Sequence, residues 1–296
     1  MKLTDRKEAT DWFSQSKYGV FFHYLYDIDD MPLFNAEKFA ADVNETGAKY
    51  AFITLGQNSG YYCAPNPTYE ELTKNAPGSK CYTGDIPTQA AKALEKYGIK
   101  LMVYLPSHPP SRDNDSSIQL GVNQKVPDDW LMNDTAVENW CKVVRAWSEH
   151  FGKTIHGWWF DGFYPWIALD EHYAESYKKA VLSGNDETIL ALNQGVEPTV
   201  YPANKYCDYT AGEFNEFTAV PESRFVDGAQ WHVLSFLGNT WTDASVKYDG
   251  EYMSNYIATA NSKGGVVTVD MHIEKDGSLV KEQLDVMRVV KQRIRG

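Results

Sequence analysis

The sequence predicts an α/β fold, a (β/α)8 TIM-like barrel forming a single domain over residues 1–296, and three observations carry that expectation. Eight short apolar runs of strand length recur along the chain. Most are followed by a segment with helical spacing, the alternation of a parallel sheet, and eight such units close a barrel. No linker divides the chain, and no Gly-x-Gly-x-x-Gly follows the first run, which disfavours the runner-up, an open doubly wound sheet.

Lys17–Tyr24 (KYGVFFHY) reads as the first strand, with His23 near its end. Asn35 is a suitable N-cap for a helix that runs to about Thr46 and stops at Gly47. Tyr50–Leu55 (YAFITL) is strand two. The loop over 56–87, rich in Gly, Pro, Asn and Tyr, has the length of a functional loop. Thr88–Tyr97 is a helix ended by Gly98, and Lys100–Leu105 (KLMVYL) is strand three. A second long loop, 106–129, precedes a helix over 135–151 with Val137, Trp140, Cys141, Val144 and Trp147 on one face.

Ile155–Phe160 is strand four, an aromatic run that stops on Asp161-Gly162. A helix over 170–183 leads to strand five, Thr188–Asn193 (TILALN). Tyr206–Thr210 is a weaker strand six, and Gln230–Phe236 (QWHVLSF) is strand seven. A helix over 251–262 is closed by Gly264-Gly265, Val266–Asp270 (VVTVD) is strand eight, and 279–294 is the last helix.

Composition narrows the function. The formal net charge is -12, from 40 acidic and 28 basic residues, with no basic run. That argues against a nucleic-acid partner, because phosphate binding rests on clustered Lys and Arg. No apolar run is long enough to span a membrane. The N-terminus is polar and carries no signal segment, so the cytoplasm is the expected compartment unless a leader was removed. Aromatic residues make up 14%, with 9 Trp and 19 Tyr, which serve either a large core or stacking on carbohydrate. The four cysteines form no C-x-x-C pair; Cys63 and Cys81 lie within disulfide reach in sequence, but free thiols are the simpler reading.

In a barrel, the residues that end each strand ring one mouth. Here they are His23, Gln57 and Asn58, Tyr104, Asp161, Asn193 and Gln194, Glu213, His232 and Asp270. Asp161 stands out because it ends a buried run and lies among Trp158, Trp159, Phe163, Tyr164 and Trp166. A buried unpaired carboxylate costs several kcal/mol, roughly, so it either faces a wet functional surface or is paired. Asp161-Gly162 also reads as a simple turn closing the strand. With Glu213 after strand six, it makes the pair of carboxylates that glycoside hydrolysis requires. His23, His232, Asp161 and Asp270 leave a metal-dependent hydrolase open as a rival, although no H-x-H or H-E-x-x-H cluster is present. No G-x-S-x-G, P-loop or dinucleotide motif occurs.

Four stretches, in order, resemble the alpha-L-fucosidase family of retaining glycoside hydrolases. They are Lys17-Tyr18-Gly19-Val20-Phe21-Phe22-His23; Phe34-Asn35-Ala36-Glu37-Lys38-Phe39 with Gly47-Ala48-Lys49-Tyr50; Trp159-Phe160-Asp161-Gly162; and Ser262-Lys263-Gly264-Gly265 through Asp276-Gly277. The resemblance implies a catalytic barrel with Asp161 as nucleophile and His23 as a sugar-binding residue. Asp208-Tyr209-Thr210-Ala211-Gly212-Glu213 matches the segment before the family's acid/base and nominates Glu213, with Glu216 and Glu222 nearby.

The chain also departs from the pattern. Gln57-Asn58-Ser59-Gly60-Tyr61 stands where the family has two histidines and Asp-Gly-Phe, Trp231-His232 stands for Trp-Glu, and strand eight ends on Asp270 rather than Asn. A retaining exo-glycosidase acting on fucose or a related sugar is therefore expected. His23, Gln57, Asn58, Tyr104, His232 and Asp270 are expected to hold hydroxyls, and Trp158, Tyr164 and Trp231 to pack on the sugar or aglycone. No cofactor and no metal ion is called for. Glycosidase action on a different sugar, or glycan binding without catalysis, are the alternatives that the rebuilt shell leaves open.

Overall fold

The computed structural model describes residues 2–123 and 131–296. Met1 and the end of the expected 106–129 loop, residues 124–129, lie outside them. The barrel strands are β1 (Tyr18–Phe22), β2 (Tyr50–Thr54), β3 (Lys100–Pro106), β4 (Ile155–Asp161), β5 (Ile189–Leu192), β8 (His232–Phe236) and β9 (Val266–Met271). A two-stranded hairpin, β6 (Phe225–Val226) and β7 (Ala229–Gln230), sits apart from them. The seven barrel strands pair in parallel in the order β5-β4-β3-β2-β1-β9-β8. The helices are α1 (Asp11–Ser16), α2 (Ala36–Thr46), α3 (Pro67–Thr73), α4 (Ile86–Glu95), α5 (Asn114–Gln119), α6 (Asp134–Phe151), α7 (Glu171–Leu182), α8 (Gly250–Ser262) and α9 (Lys281–Arg295). The fold is an α/β TIM-like barrel, as expected. None of the described helices is long and apolar enough to cross a membrane.

Strand alternation sorts the side chains into two cores, because successive residues point to opposite faces. Outward residues such as Val20, Ile53, Val103, Trp158 and Leu190 pack beneath the helices. Inward residues such as Phe21, Phe52, Met102, Trp159, Ala191 and Leu234 fill the barrel. The inward set also includes Phe13 of α1, whose ring meets Tyr50, Tyr209 and His232 and closes the barrel base. α1 was not among the expected elements, and α3 lies within the expected 56–87 loop, capped by the Asn66 side chain.

The expected strand six, Tyr206–Thr210, is not a strand. The ring is completed by an irregular segment around 208–214. Asp208 N donates to Leu190 O at 2.8 Å on the β5 side. Thr210 N donates to Gln230 O at 3.0 Å, and Phe214 N to Leu234 O at 3.0 Å, on the other side. Two features break the ladder. Thr210 Oγ1 stands in for backbone, donating to His232 O at 2.7 Å and accepting from His232 N at 2.8 Å. Gly212 then turns left-handed (φ +59), where a Cβ would lie 2.0 Å from His232 O. The segment is anchored by the wholly buried Lys178, which pairs with Asp208, and by Arg6 at 3.3 Å from the same carboxylate. The four cysteines are buried free thiols.

Candidate active site

A cleft with roughly 600 Å³ of empty space opens at the carboxyl ends of the strands. It is lined by Phe21, His23, Leu25, Gln57, Tyr104, Trp159, Asp161, Glu213, Leu234, Trp241 and Thr242. Asp161 ends β4 and points inward, two residues after Trp159. Tyr104 Oη donates to Asp161 Oδ2 at 2.7 Å, and Asn193 Nδ2 donates to Asp161 Oδ1 at 2.9 Å. Both oxygens therefore accept a hydrogen bond, which fixes the carboxylate's orientation. Burial first, and then Asp161 beside it, push the Tyr104 hydroxyl well up, so it remains a protonated donor.

Glu213 faces Asp161 from the irregular segment. The same Asn193 Nδ2 donates to Glu213 Oε2 at 2.6 Å. Two oxygens held by one nitrogen at 2.9 Å and 2.6 Å are at most about 5.5 Å apart. Burial, followed by the charge of Asp161, raises the Glu213 pKa to about 7, against smaller downward effects of Asn193 and His23. Such a carboxyl is about half protonated near neutrality and can give up a proton there. Glu216 and Glu222, the nearby alternatives in sequence, are exposed, and Glu216 pairs with Lys247 at 3.2 Å.

His23 ends the run begun by β1. Its Nδ1 donates to Asp270 Oδ1 at 2.7 Å, and Thr242 N donates to Asp270 Oδ2 at 3.0 Å. Asp270 is buried and does not line the cleft; it fixes the ring of a residue that does. Gln57 Nε2 donates to Tyr104 Oη at 3.2 Å. His23, Gln57, Tyr104, Asp161 and Glu213 thus meet in one place.

Other expected residues do not. Trp158 faces outward and stacks on Phe160 at 5.8 Å under the helices; its neighbour Trp159 occupies the cleft. Trp231, also outward, belongs to the core beneath the helices. His232 has the inward parity but begins its strand, so it lies in the barrel interior near Phe13. There Nδ1 donates to Thr210 O at 2.8 Å, Nε2 meets Thr268 Oγ1 at 2.7 Å, and burial lowers its pKa to about 4. It does not converge with His23, and among the described residues no group of three or more His, Cys, Asp or Glu is placed to hold a metal ion.

Asn58 does not line the cleft, and its backbone O accepts from Arg112 N at 2.9 Å. Tyr164 stands outside the main cleft, beyond the carboxylates, stacked on the exposed Trp166 at 4.0 Å. Burial, then Asp161 and Glu213, push its hydroxyl up. A second depression opens on that side, lined by Asn193, Gly195, Glu197, Tyr201 and Glu213 among others.

Trp159, Asn193 and Trp241 had no role among the sequence expectations, nor did Phe21, Leu25, Leu234 and Thr242, which line the cleft. The first two were detectable in principle. Trp159 has the parity of Asp161, and Asn193 ends strand five. Trp241 comes from the loop after β8, where no periodicity applies.

The fold and site together define a barrel with two close carboxylates at its carboxyl-terminal mouth. No family model matches the chain, and no curated protein matches it in sequence. Solved structures do match its fold. The chain is similar to an endo-fucoidan hydrolase of glycoside hydrolase family 107, with a TM-score of 0.75 and 15% identity, over 97% of this chain and 93% of that one. It is also similar to alpha-L-fucosidase isoenzyme 1 from Paenibacillus thiaminolyticus, with a TM-score of 0.66 and 18% identity, over 99% of this chain and 76% of that one. A third, an alpha-L-fucosidase from Lactobacillus casei in complex with its fucose product, gives a TM-score of 0.64 and 15% identity over 97% and 99%. At such identities the likeness establishes the fold alone, a TIM-like barrel, and leaves the chemistry to the site.

Proposed function

We propose that this chain is a retaining glycoside hydrolase, a single catalytic barrel in which Asp161 is the nucleophile and Glu213 the acid/base. The observation that carries the reading is the shared Asn193 amide, which keeps oxygens of the two carboxyl groups within about 5.5 Å. Retaining enzymes hold their two carboxyl groups about 5 to 5.5 Å apart, a spacing that a donor shared by one oxygen of each fits, whereas inverting enzymes need roughly 6.5 to 9.5 Å to admit a water. In the first step an Asp161 oxygen bonds to the anomeric carbon as the glycosidic C–O bond breaks, and Glu213 passes its proton to the departing oxygen. In the second, Glu213 takes a proton from water, whose oxygen bonds to the anomeric carbon as the bond to Asp161 breaks. Sugar and free carboxylate result, with Glu213 again protonated.

The cleft indicates the kind of sugar. Among the described residues that line it none is Lys or Arg, so no described cationic side chain of that kind compensates a sulfate or carboxylate on the ring. Phe21, Leu25, Trp159, Leu234 and Trp241 provide apolar wall, while His23, Gln57, Tyr104 and Thr242 offer hydrogen bonds. A neutral sugar with an apolar edge suits this lining. Fucose or a related deoxy sugar is the first candidate, in keeping with the substrates named for the similar structures. The amide of Gln57, standing where histidines are usual in the resembling family, is the reason to test other sugars too.

The test is hydrolysis of a panel of neutral aryl glycosides, α-L-fucoside included, by wild type and Asp161→Asn. The expected outcome is release from at least one member, a fall of at least about 1,000-fold in the variant, and a first-formed product with the anomeric configuration of the substrate. An inverted product would overturn the retaining mechanism. Unchanged activity in Asp161→Asn would overturn the nucleophile.

A further inference from the structure

Asn193 is almost wholly buried (1% exposed) and sits where β5 gives way to the mouth loop. Its backbone is fixed on both sides, N donating to Phe160 O at 2.8 Å and O accepting from Phe163 N at 2.8 Å. Its side chain is fixed as well. Gly195 N donates to Oδ1 at 3.2 Å, so the carbonyl end of the amide is occupied and the NH2 end points at the carboxylates. The two N–H groups then serve Asp161 and Glu213, one each.

We propose that Asn193 is a positioning residue that couples the two carboxylates. It holds them at one spacing and keeps Glu213 from gripping its proton too firmly to release it. As an account of catalysis this rests on the hydrolase reading above; as an account of the two carboxylates it does not. The titratable groups facing Glu213 are Asp161 on β4, His23 on β1, Tyr104 on β3, Tyr164 beyond β4, and Glu197 across the second depression. Burial and Asp161 favour the protonated acid; Asn193 and His23 oppose them. Of the two opponents only Asn193 bonds Glu213 directly.

The device also favours the change of role that the two steps require. Once Asp161 is esterified by the sugar its charge is gone, and with it one of the two effects that hold the proton on Glu213. The Asn193 donor remains and favours the carboxylate, which is the form that accepts a proton from water.

The experiment is a carbon-13 NMR titration of protein labelled at the glutamate carboxyls, with Glu213→Gln assigning the resonance. It reads Glu213 without any substrate. Asn193→Ala is expected to move the Glu213 midpoint upward by about one pH unit, and Asp161→Asn to move it downward. Asn193→Leu keeps a similar volume and adds no charge while removing the donor. It is expected to move the midpoint upward as well, and it stands in if the alanine variant fails to fold.

A midpoint unmoved or lowered in the folded Asn193 variants would overturn the proposal. With a cleavable glycoside, Asn193→Ala should lower kcat by about 10- to 100-fold and shift the alkaline limb of kcat/KM upward by the same amount as the NMR midpoint. A fall in kcat with the limb unmoved would reduce Asn193 to a structural role and overturn the coupling. A shifted NMR midpoint in a protein that cleaves no glycoside would leave the coupling standing and overturn the hydrolase reading instead.

Discussion

The two carboxylates reach the cleft by opposite routes. Asp161 ends a seven-residue strand that pairs with β3 in continuous register from Trp158 onward, after one register shift between Leu101 and Val103, and is flanked in the sheet by β5. Backbone ladders on both flanks set its position. Glu213 ends an irregular segment that makes only isolated bridges to its neighbours, at Tyr209–Gln230 and Glu213–Leu234. Its position depends on side chains: Thr210 standing in for backbone, Gly212 turning where another residue would collide, and the buried Lys178 holding Asp208. The lesson is that one site geometry combines a part fixed by periodic backbone and a part fixed by a few specific contacts. The second part should be the one that single substitutions can detach.

The largest effect expected from that difference is Lys178→Met. It removes a buried cation and leaves Asp208 facing Arg6 alone. Breaking a buried pair from one side costs about 3–5 kcal/mol. Chemical denaturation should show a loss of this size. Hydrogen exchange should show 208–214 opening before the β3–β4 ladder does. Uniform opening across both regions would mean that the segment is not separately anchored.

A smaller effect sharpens the comparison from the electrostatic side. The Glu213 pKa is raised, to about 7, above its ordinary value of 4.5. A raised folded-state pKa means that the folded protein holds this proton more tightly than the unfolded chain. That contribution to stability is full below about pH 4.5 and is lost as pH rises through about 7. Glu213→Gln removes the penalty of ionising a partly buried carboxyl beside Asp161. The variant should be more stable than wild type at pH 8, by on the order of 1–2 kcal/mol, and show no such gain at pH 4. Equal stability at both would mean that Glu213 is better solvated than its surroundings indicate. The same titration sets the expected alkaline limb of kcat/KM near pH 7.

The regular half of the molecule was legible in the sequence because apolar runs of strand length and the residues that end them report directly on position. Seven of the eight expected strands form, and Asp161, His23, Gln57 and Tyr104 line the cleft. Strand six failed because Thr210 and Gly212 act through contacts with His232, a partner distant in sequence. His232 was misplaced for a different reason. It shares the parity of the mouth residues but starts its strand, and parity alone does not distinguish the base of a barrel from its mouth. Asn193 stood among the strand-ending residues, yet its bridging role requires two side chains from different parts of the chain, which no local pattern encodes.

The finest test concerns one residue step within the regular half. Trp158 and Trp159 are adjacent and equally bulky, and alternation sends them to opposite faces of β4. Trp158 stacks on Phe160 beneath the helices. Trp159 stacks on Tyr104 at 5.5 Å in the cleft, and its Nε1 donates to Ala211 O at 3.1 Å. That bond ties the regular strand to the irregular segment two residues before Glu213. Trp158→Phe should therefore lower stability by about 1–2 kcal/mol and leave kcat/KM within about twofold. Trp159→Phe loses the indole donor and part of the cleft wall. It should cost a similar amount of stability and also lower kcat/KM by about 10-fold. Steady-state kinetics and thermal melts on the two variants separate the effects. If both lower kcat/KM alike, the two faces of β4 are not independent, and the strand itself must shift when either face is disturbed.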